Sequence, residues 1–310
     1  MYNKILIYNS GGGLGDSIQL FPLLSGLQSH FDKAEFYYLS SHSNHFEGKL
    51  KEFGLKIQSL ELGVKYFGFR WWHYFIVKKK FLESNIEKFD LIIDLQSKIR
   101  NTIILKKIPH NNFYSSTFNY FFCSHKNLES LLKDGVKIKE YDIKKISKIY
   151  YDEAKRLLPD KNYIGFSITQ GNAYRKKGWP LEKFLELANQ INKGNKKIVF
   201  FIEKKENEII QKIKKILPEA VFPELNSAIA CPALVTALSS RLEKGITIDN
   251  GIMHMMALAN IPLIVLFGPT NSKKFAPKIK NIKIIDSKEL YNSKDINKIS
   301  IETVMKSFNS

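Results

Sequence analysis

The sequence predicts an α/β protein built from two doubly wound parallel-sheet domains. Three observations carry that expectation. Short apolar runs alternate with helical patterns along both halves of the chain. The alternation stops at an irregular, lysine-rich stretch over 136–148 and then starts again. A chain of 310 residues with 44% hydrophobic content is also large enough for two cores of ordinary size. The expected domains are 1–149 and 150–310.

In the first half, Lys4–Tyr8 reads as an opening strand. It is too short for the apolar core of a signal peptide. A glycine turn follows, Gly11-Gly12-Gly13-Leu14-Gly15-Asp16, and a helix is expected over 17–30. Further strands are expected at 35–39, 91–95 and 112–114, with helices near 44–53, 71–88 and 127–134. The second half opens on a helix over 150–158, closed by Pro159. A strand over 163–168 feeds a loop from Gly171 to Pro180, and an amphipathic helix over 182–191 follows. Next come a strand over 197–202, a charged helix over 204–216, a strand near Val221 and a helix over 233–240. A last strand is expected over 282–285. A helix over 300–308 would end the chain and pack back on the first domain.

The most informative stretch is Thr247 to Thr270. Gly245–Ile248 is a strand with a β-branched end, Asp249-Asn250-Gly251 is a turn signal, and Ile252–Ala259 suits a helix. Asn260-Ile261-Pro262 ends that helix before the apolar strand Leu263–Phe267. A helix that opens at a glycine directly after a strand aims unpaired N–H groups and its positive dipole end outward. Phosphate is the usual occupant, and His254, about one turn in, could face the same ligand.

The first glycine turn fits no familiar phosphate loop. A dinucleotide fingerprint starting at Gly11 needs glycine at position 16, where Asp16 stands, and the P-loop pattern needs a lysine that is absent. An acidic side chain here would repel pyrophosphate but suits a base that takes a proton from a hydroxyl. The other reading is that Asp16 caps the helix.

These motifs together resemble the heptosyltransferase-like glycosyltransferases, glycosyltransferase family 9. The family's D-[ST]-G-x-x-H-x-A-A turn and its F-G-P-T strand end align with Asp249, Gly251, His254, Ala257 and Phe267-Gly268-Pro269-Thr270, while Asn250 and Met256 depart from it. The G-x-G-D opening aligns with Gly13, Gly15 and Asp16. The loop Gly171-Asn172-Ala173-Tyr174-Arg175-Lys176-Lys177-Gly178-Trp179-Pro180 resembles G-x-x-x-x-x-K-x-W-P, and residues 89–96 resemble Y-D-x-x-I-D-x-[QH].

The resemblance implies a GT-B architecture, in which two such sheets face a central cleft, and inverting transfer from a nucleotide sugar. Asp16 would be the catalytic base, with Gly13 and Gly15 at the donor. Lys177 would meet the leaving phosphate, ahead of Arg175 and Lys176, and the N–H groups near Gly251 would hold the other phosphate. Glu206 would bond the ribose, although Phe201-Ile202 replaces the family's Trp-Gly and Glu203 and Glu208 are rivals. Asp249 would bond donor hydroxyls or order the turn, Asn250 lies beside it, His254 would contact phosphate or sugar, and Thr169 would offer its hydroxyl to phosphate. No carboxylate cluster marks a divalent-metal site, so transfer without metal or cofactor is expected. The donor would be ADP-heptose and the acceptor a lipopolysaccharide core or related glycan. Another nucleotide sugar, a non-catalytic nucleotide-sugar-binding protein and a sugar-nucleotide epimerase remain open as alternatives.

The chain carries 48 Lys+Arg against 30 Asp+Glu, a net charge of +18. That bias has two explanations, an A/T-rich genome or an anionic partner. Nucleic acid is not the expected partner, because no nucleic-acid module appears. The signal concentrates in Val64–Lys80, where two tryptophans stand among Lys65, Arg70 and Lys78-Lys79-Lys80. Either this segment meets the acceptor or a membrane surface, or its aromatic face packs on the sheet while the lysines reach water. Cys123 and Cys231 are far apart and suit a reducing cytoplasm. No apolar run approaches the ~20 residues needed to span a bilayer. The expected location is cytoplasmic, at the inner face of the inner membrane.

Overall fold

A computed structural model describes residues 2–41, 44–119, 124–171 and 173–310, so Cys123 and Asn172 lie outside the described residues. The chain forms two compact units, Met1–Asp142 and Ile143–Ser310. The break falls within the lysine-rich stretch, a few residues before the division expected from sequence.

The first unit contains β1 (Lys4–Asn9), α1 (Leu14–Ile18), α2 (Phe21–His30), β2 (Glu35–Ser40), β3 (Gln58–Ser59), α3 (His73–Leu82), β4 (Phe89–Asp94), α4 (Ile99–Leu105), β5 (His110–Ser115), β6 (Lys126–Asn127) and α5 (Ser130–Lys133). All pairings are parallel, in the order β3-β2-β1-β4-β5-β6. Ile5, Leu6, Ile7 and Tyr8 are wholly buried, as a central parallel strand covered on both faces requires.

Four expected helices take a different form, among them the one over 127–134, which shortens to α5 behind the two-residue strand β6. The helix over 17–30 is split, with Pro22 at the start of α2, where its missing N–H costs nothing. The segment 44–53 makes turns and one short 3-10 turn, Lys51–Phe53. Asn44 accepts the Phe46 N–H and Gly48 sits mid-segment, so local bonds compete with a helix, yet Phe46, Leu50 and Phe53 are still buried. The helix over 71–88 shortens to α3, beyond which Asn85 adopts a left-handed φ of 57°.

The second unit contains α6 (Lys148–Leu157), β7 (Tyr163–Ser167), α7 (Leu181–Asn192), β8 (Lys197–Phe200), α8 (Asn207–Ile216), α9 (Pro232–Ser239), β9 (Leu242–Ile248), α10 (Gly251–Leu258), β10 (Leu263–Phe267), α11 (Ser272–Phe275), β11 (Ile282–Asp286), α12 (Ser287–Tyr291) and α13 (Ile301–Asn309). Its sheet is parallel, in the order β11-β10-β9-β7-β8. The strand expected near Val221 is a single parallel bridge to Val199. The terminal helix α13 contributes Val304, Met305 and Phe308 to this unit's core.

Strand order reverses between β1 and β4 in the first sheet and between β7 and β9 in the second. At such a reversal the loops leaving the carboxyl ends of the two strands diverge, and ligands of doubly wound sheets bind there. The glycine turn leaves β1; the Gly171 loop leaves β7; the Asp249 turn leaves β9.

Candidate functional site

In the second unit, Asn250 stitches the reversal point together. Its Oδ1 accepts the Met253 N–H at 3.0 Å and so caps α10, while its Nδ2 donates to Ser167 Oγ at 2.7 Å and to the Thr169 carbonyl at 3.0 Å. A hydroxyl residue could cap the helix too, but it has only one hydrogen to donate. The amide therefore caps α10 and ties β7 to β9 at once, which gives this departure from the family pattern a structural purpose. The first N–H groups of α10, beginning at Gly251, precede any acceptor within the helix.

Lys177 reaches the same turn from the β7 loop. Its ammonium lies 2.5 Å from Asp249 Oδ2 and 3.4 Å from the Asp249 carbonyl, and the two side chains are only 14% and 7% exposed. Local geometry aims it. Lys176 takes a left-handed φ of 46°, the Lys177 N–H donates to Gln170 Oε1 at 2.7 Å, and buried Trp179 donates from Nε1 to the Ile299 carbonyl at 3.0 Å. Arg175 and Lys176, by contrast, are exposed.

The remaining second-unit candidates lie around this pair. Thr169 is half-buried, and His254 is 6% exposed within α10. Glu206 is half-buried at the start of α8, with its N–H bonded to the Glu203 carbonyl. Its rivals Glu203 and Glu208 are exposed, and Glu203 is ion-paired with Lys205. Sequence reasoning did not single out Glu224. Glu224 Oε2 is closed off from solvent with no hydrogen-bond partner among the described residues. Burial, and then the negative charge of Glu203, pushes its pKa up to about 7. Gln170 and Ser167 were missed as well, although a polar residue at a strand's carboxyl end is a usable signal.

In the first unit, Asp16 Oδ2 accepts the Gly13 N–H at 3.0 Å, so the carboxylate closes the turn that opens α1. A Cβ at Gly11 would sit 2.9 Å from the Asp16 Cβ, and one at Gly13 would sit 3.0 Å from Oδ2. Both glycines are thus needed for the backbone to wrap this carboxylate. Asp16 is half-buried, and its second oxygen receives no hydrogen bond among the described residues. His45 Nε2 lies 3.2 Å from the Gly12 carbonyl and braces the same turn. Burial pushes the nearby Tyr38 hydroxyl up to about 12, with the Asp16 charge adding to the effect. Asp94, at the end of β4, is wholly buried and accepts from Thr102 Oγ1 at 2.6 Å and Ser115 Oγ at 2.8 Å, which makes it a structural tie.

Lys65, Arg70 and Lys78 are all exposed, and so are Trp71 and Trp72. The segment's inward residues are Phe67, His73, Val77 and Phe81, so the tryptophans do not pack on the sheet. No three His, Cys, Asp or Glu side chains cluster in a metal-binding arrangement among the described residues. No described helix is long and apolar enough to cross a membrane.

Three comparisons bear on this geometry. Residues 80–306 match the family model for glycosyltransferase family 9 (heptosyltransferase). A lipooligosaccharide heptosyltransferase 2 of Campylobacter jejuni is 23% identical over 88% of this chain and 83% of its own length. Among solved structures, a family 9 glycosyl transferase from Veillonella parvula superposes with a TM-score of 0.72 at 19% identity, covering 99% of this chain and 96% of that one. An E. coli heptosyltransferase solved with ADP-2-deoxy-2-fluoro heptose has a TM-score of 0.66 at 15% identity and covers 99% of each chain. The fold is therefore the GT-B class, with two parallel-sheet α/β domains.

Proposed function

Because the chain belongs to glycosyltransferase family 9, we propose that it transfers heptose from ADP-heptose to a lipopolysaccharide core or related glycan, inverting the anomeric carbon. The protein is a glycosyltransferase; the donor, the acceptor and the stereochemistry are our reading. The heptosyltransferase relative and the neighbour solved with an ADP-heptose analogue support it. So does one feature of the site, a shielded lysine–aspartate pair beside a capped helix start at the β7/β9 reversal. That pairing is the observation that carries the proposal.

An acceptor hydroxyl attacks the anomeric carbon and loses its proton to Asp16. The bond from that carbon to the donor's phosphate oxygen breaks, and ADP leaves with the electron pair. Charge then grows on the leaving diphosphate, where fixed cations and N–H groups lower the barrier. Lys177 and the first N–H groups of α10, at Gly251, take that role. Glu206 bonds the ribose, and Asp249, Asn250, His254 and Thr169 border the donor. Gly13 and Gly15 shape the turn that holds the base. The acceptor is an anionic glycolipid at the inner face of the inner membrane.

The test combines binding with transfer. Thermal shift against a panel of nucleotide sugars should show the largest stabilisation with ADP-heptose, since a ligand of the native state raises the melting point according to its concentration over Kd. Incubation with ADP-heptose and heptose-deficient lipopolysaccharide should add one heptose mass to the glycan. Conversion of the donor without any acceptor would instead indicate an epimerase.

A further inference from the structure

The segment that opens α3 carries its large apolar side chains outward. Trp71 is 56% exposed, Trp72 55%, Phe75 80% and Leu82 65%, with Tyr66 and Phe69 exposed beside them. Single exposed apolar residues are ordinary, but a contiguous group on one segment marks a contact surface. On α3, Phe75, Lys78, Lys79 and Leu82 fall at helical spacing on one face, while the buried His73, Val77 and Phe81 form the opposite stripe. The helix thus has one buried stripe and an opposite face of exposed apolar and basic side chains, which its own core does not account for.

The loop before α3 is pinned in place. Phe67 is wholly buried and its carbonyl accepts the Tyr8 hydroxyl at 3.1 Å; Asn101 Nδ2 donates to the same hydroxyl at 2.9 Å. Arg100 Nε donates to the Gly68 carbonyl at 2.8 Å, and the Gly68 N–H donates to His73 Nδ1 at 3.1 Å. Gly68 has φ +83°, and a Cβ there would lie 2.5 Å from Tyr8 Oη. Folding the aromatics inward would break this buried network, so they are presented to the outside.

Between Glu61 and Glu83, the latter paired with Lys80 at 2.8 Å, the charge has one sign. From Leu62 to Leu82 the sequence holds Lys65, Arg70, Lys78, Lys79 and Lys80 and no acidic residue. Lys98 adds its ammonium 5.9 Å from the Phe69 ring centre. Tryptophan and phenylalanine at headgroup depth, ringed by lysines facing lipid phosphate, is the arrangement an anionic bilayer selects.

We propose that residues 65–82 form a membrane-docking surface that inserts Trp71, Trp72 and Phe75 at headgroup depth in an anionic bilayer, with Lys65, Arg70, Lys78 and Lys79 on lipid phosphate. This deepens the proposed function by naming the surface that brings the enzyme to a membrane-borne acceptor. The occupant is the bilayer itself, so docking needs neither donor nor glycan acceptor.

Vesicles of phosphatidylcholine with phosphatidylglycerol, free of any glycolipid, provide the test. Wild type should co-sediment with them, and its tryptophan emission should shift to the blue. The only other tryptophan, Trp179, is already buried and gives no such change. Trp71→Ser with Trp72→Ser should reduce vesicle binding at least tenfold, and Lys78→Gln with Lys79→Gln should cost roughly fivefold per lysine at low salt. The lysine effect should fade at high salt, while the tryptophan effect persists. Thermal shift by ADP on the same preparations should be unchanged, which separates failure of docking from failure of the glycosyltransferase reading. Wild-type binding by the tryptophan variant, or no binding by wild type, overturns the proposal. Concentration-dependent self-association that is abolished by the same variant would assign the surface to a second copy and overturn it equally.

Discussion

The ammonium of Lys177 and the carboxylate of Asp249 meet at 2.5 Å, joining the loop after β7 to the turn after β9. Both are shielded, so the interaction is screened far less than a surface ion pair. A cation held this way is positioned before any ligand arrives. It also sits next to the start of α10, where a phosphate would find N–H donors.

On the proposed role, Lys177→Ala should weaken ADP binding as well as turnover, because the lysine would meet charge that is present in the ground state and grows in the transition state. Hydrogen bonds to charged groups contribute about 1.5–3 kcal/mol, so Kd for ADP should rise roughly 10- to 100-fold. Titration calorimetry reads this directly. Unchanged ADP affinity would leave Lys177 as no more than the partner of Asp249.

Asp16→Asn separates capping from catalysis. The amide oxygen can still accept the Gly13 N–H that Asp16 Oδ2 accepts at 3.0 Å, so the turn should survive. Only the proposed proton acceptor is lost. Turnover should drop at least ~100-fold, the scale of a missing general base. The melting point and ADP affinity should stay near wild type. Near-normal turnover would return Asp16 to a purely structural role.

Asn250 offers a graded test of the stitch between β7 and β9. Asn250→Ser can keep the cap on Met253 but cannot donate to both Ser167 Oγ and the Thr169 carbonyl. Asn250→Ala loses everything. A lost cap costs about 1 kcal/mol and an unsatisfied buried acceptor a further ~1–3 kcal/mol. Thermal denaturation should rank wild type above Ser and Ser above Ala. Equal melting points would mean that water replaces the amide without cost.

The legible parts of this protein were those encoded locally. Lys177 stood out because its loop, with Trp179 and Pro180 close behind, resembles the family's G-x-x-x-x-x-K-x-W-P, and the Asp249 turn because Gly251 and the apolar helix adjoin it. The longer strands of both sheets were read from runs such as Leu263–Phe267, buried on both faces, whereas the two-residue edge strands β3 and β6 were missed. What escaped depends on distant partners. Ser167 receives the Asn250 amide across 83 residues of sequence, and Gln170 looks like any loop glutamine until Lys177 folds onto it. The tryptophans could not be placed from periodicity, because Trp71 and Trp72 lie just before α3, where the helical spacing has not yet begun. Local competition explains the helix failures, with Asn44 and Gly48 favouring turns over 44–53. The helix α4 was missed because its few turns hold too little pattern to register.

Glu224 makes the stability of the protein depend on pH in a defined direction. Its carboxyl is pushed from an ordinary 4.5 up to about 7, chiefly by burial. Between those two values the folded chain keeps a proton that the unfolded chain has released, so stability falls as pH rises. The contribution is fully present below about pH 4.5 and lost once pH passes 7. At about 1.4 kcal/mol per unit, the loss amounts to about 3 kcal/mol. Glu224→Gln cannot ionise and should escape it. The variant should melt close to wild type at pH 5 and several degrees higher at pH 8. Parallel melting profiles for the two proteins across that range would mean that the Glu224 carboxylate finds solvent or a donor when it ionises.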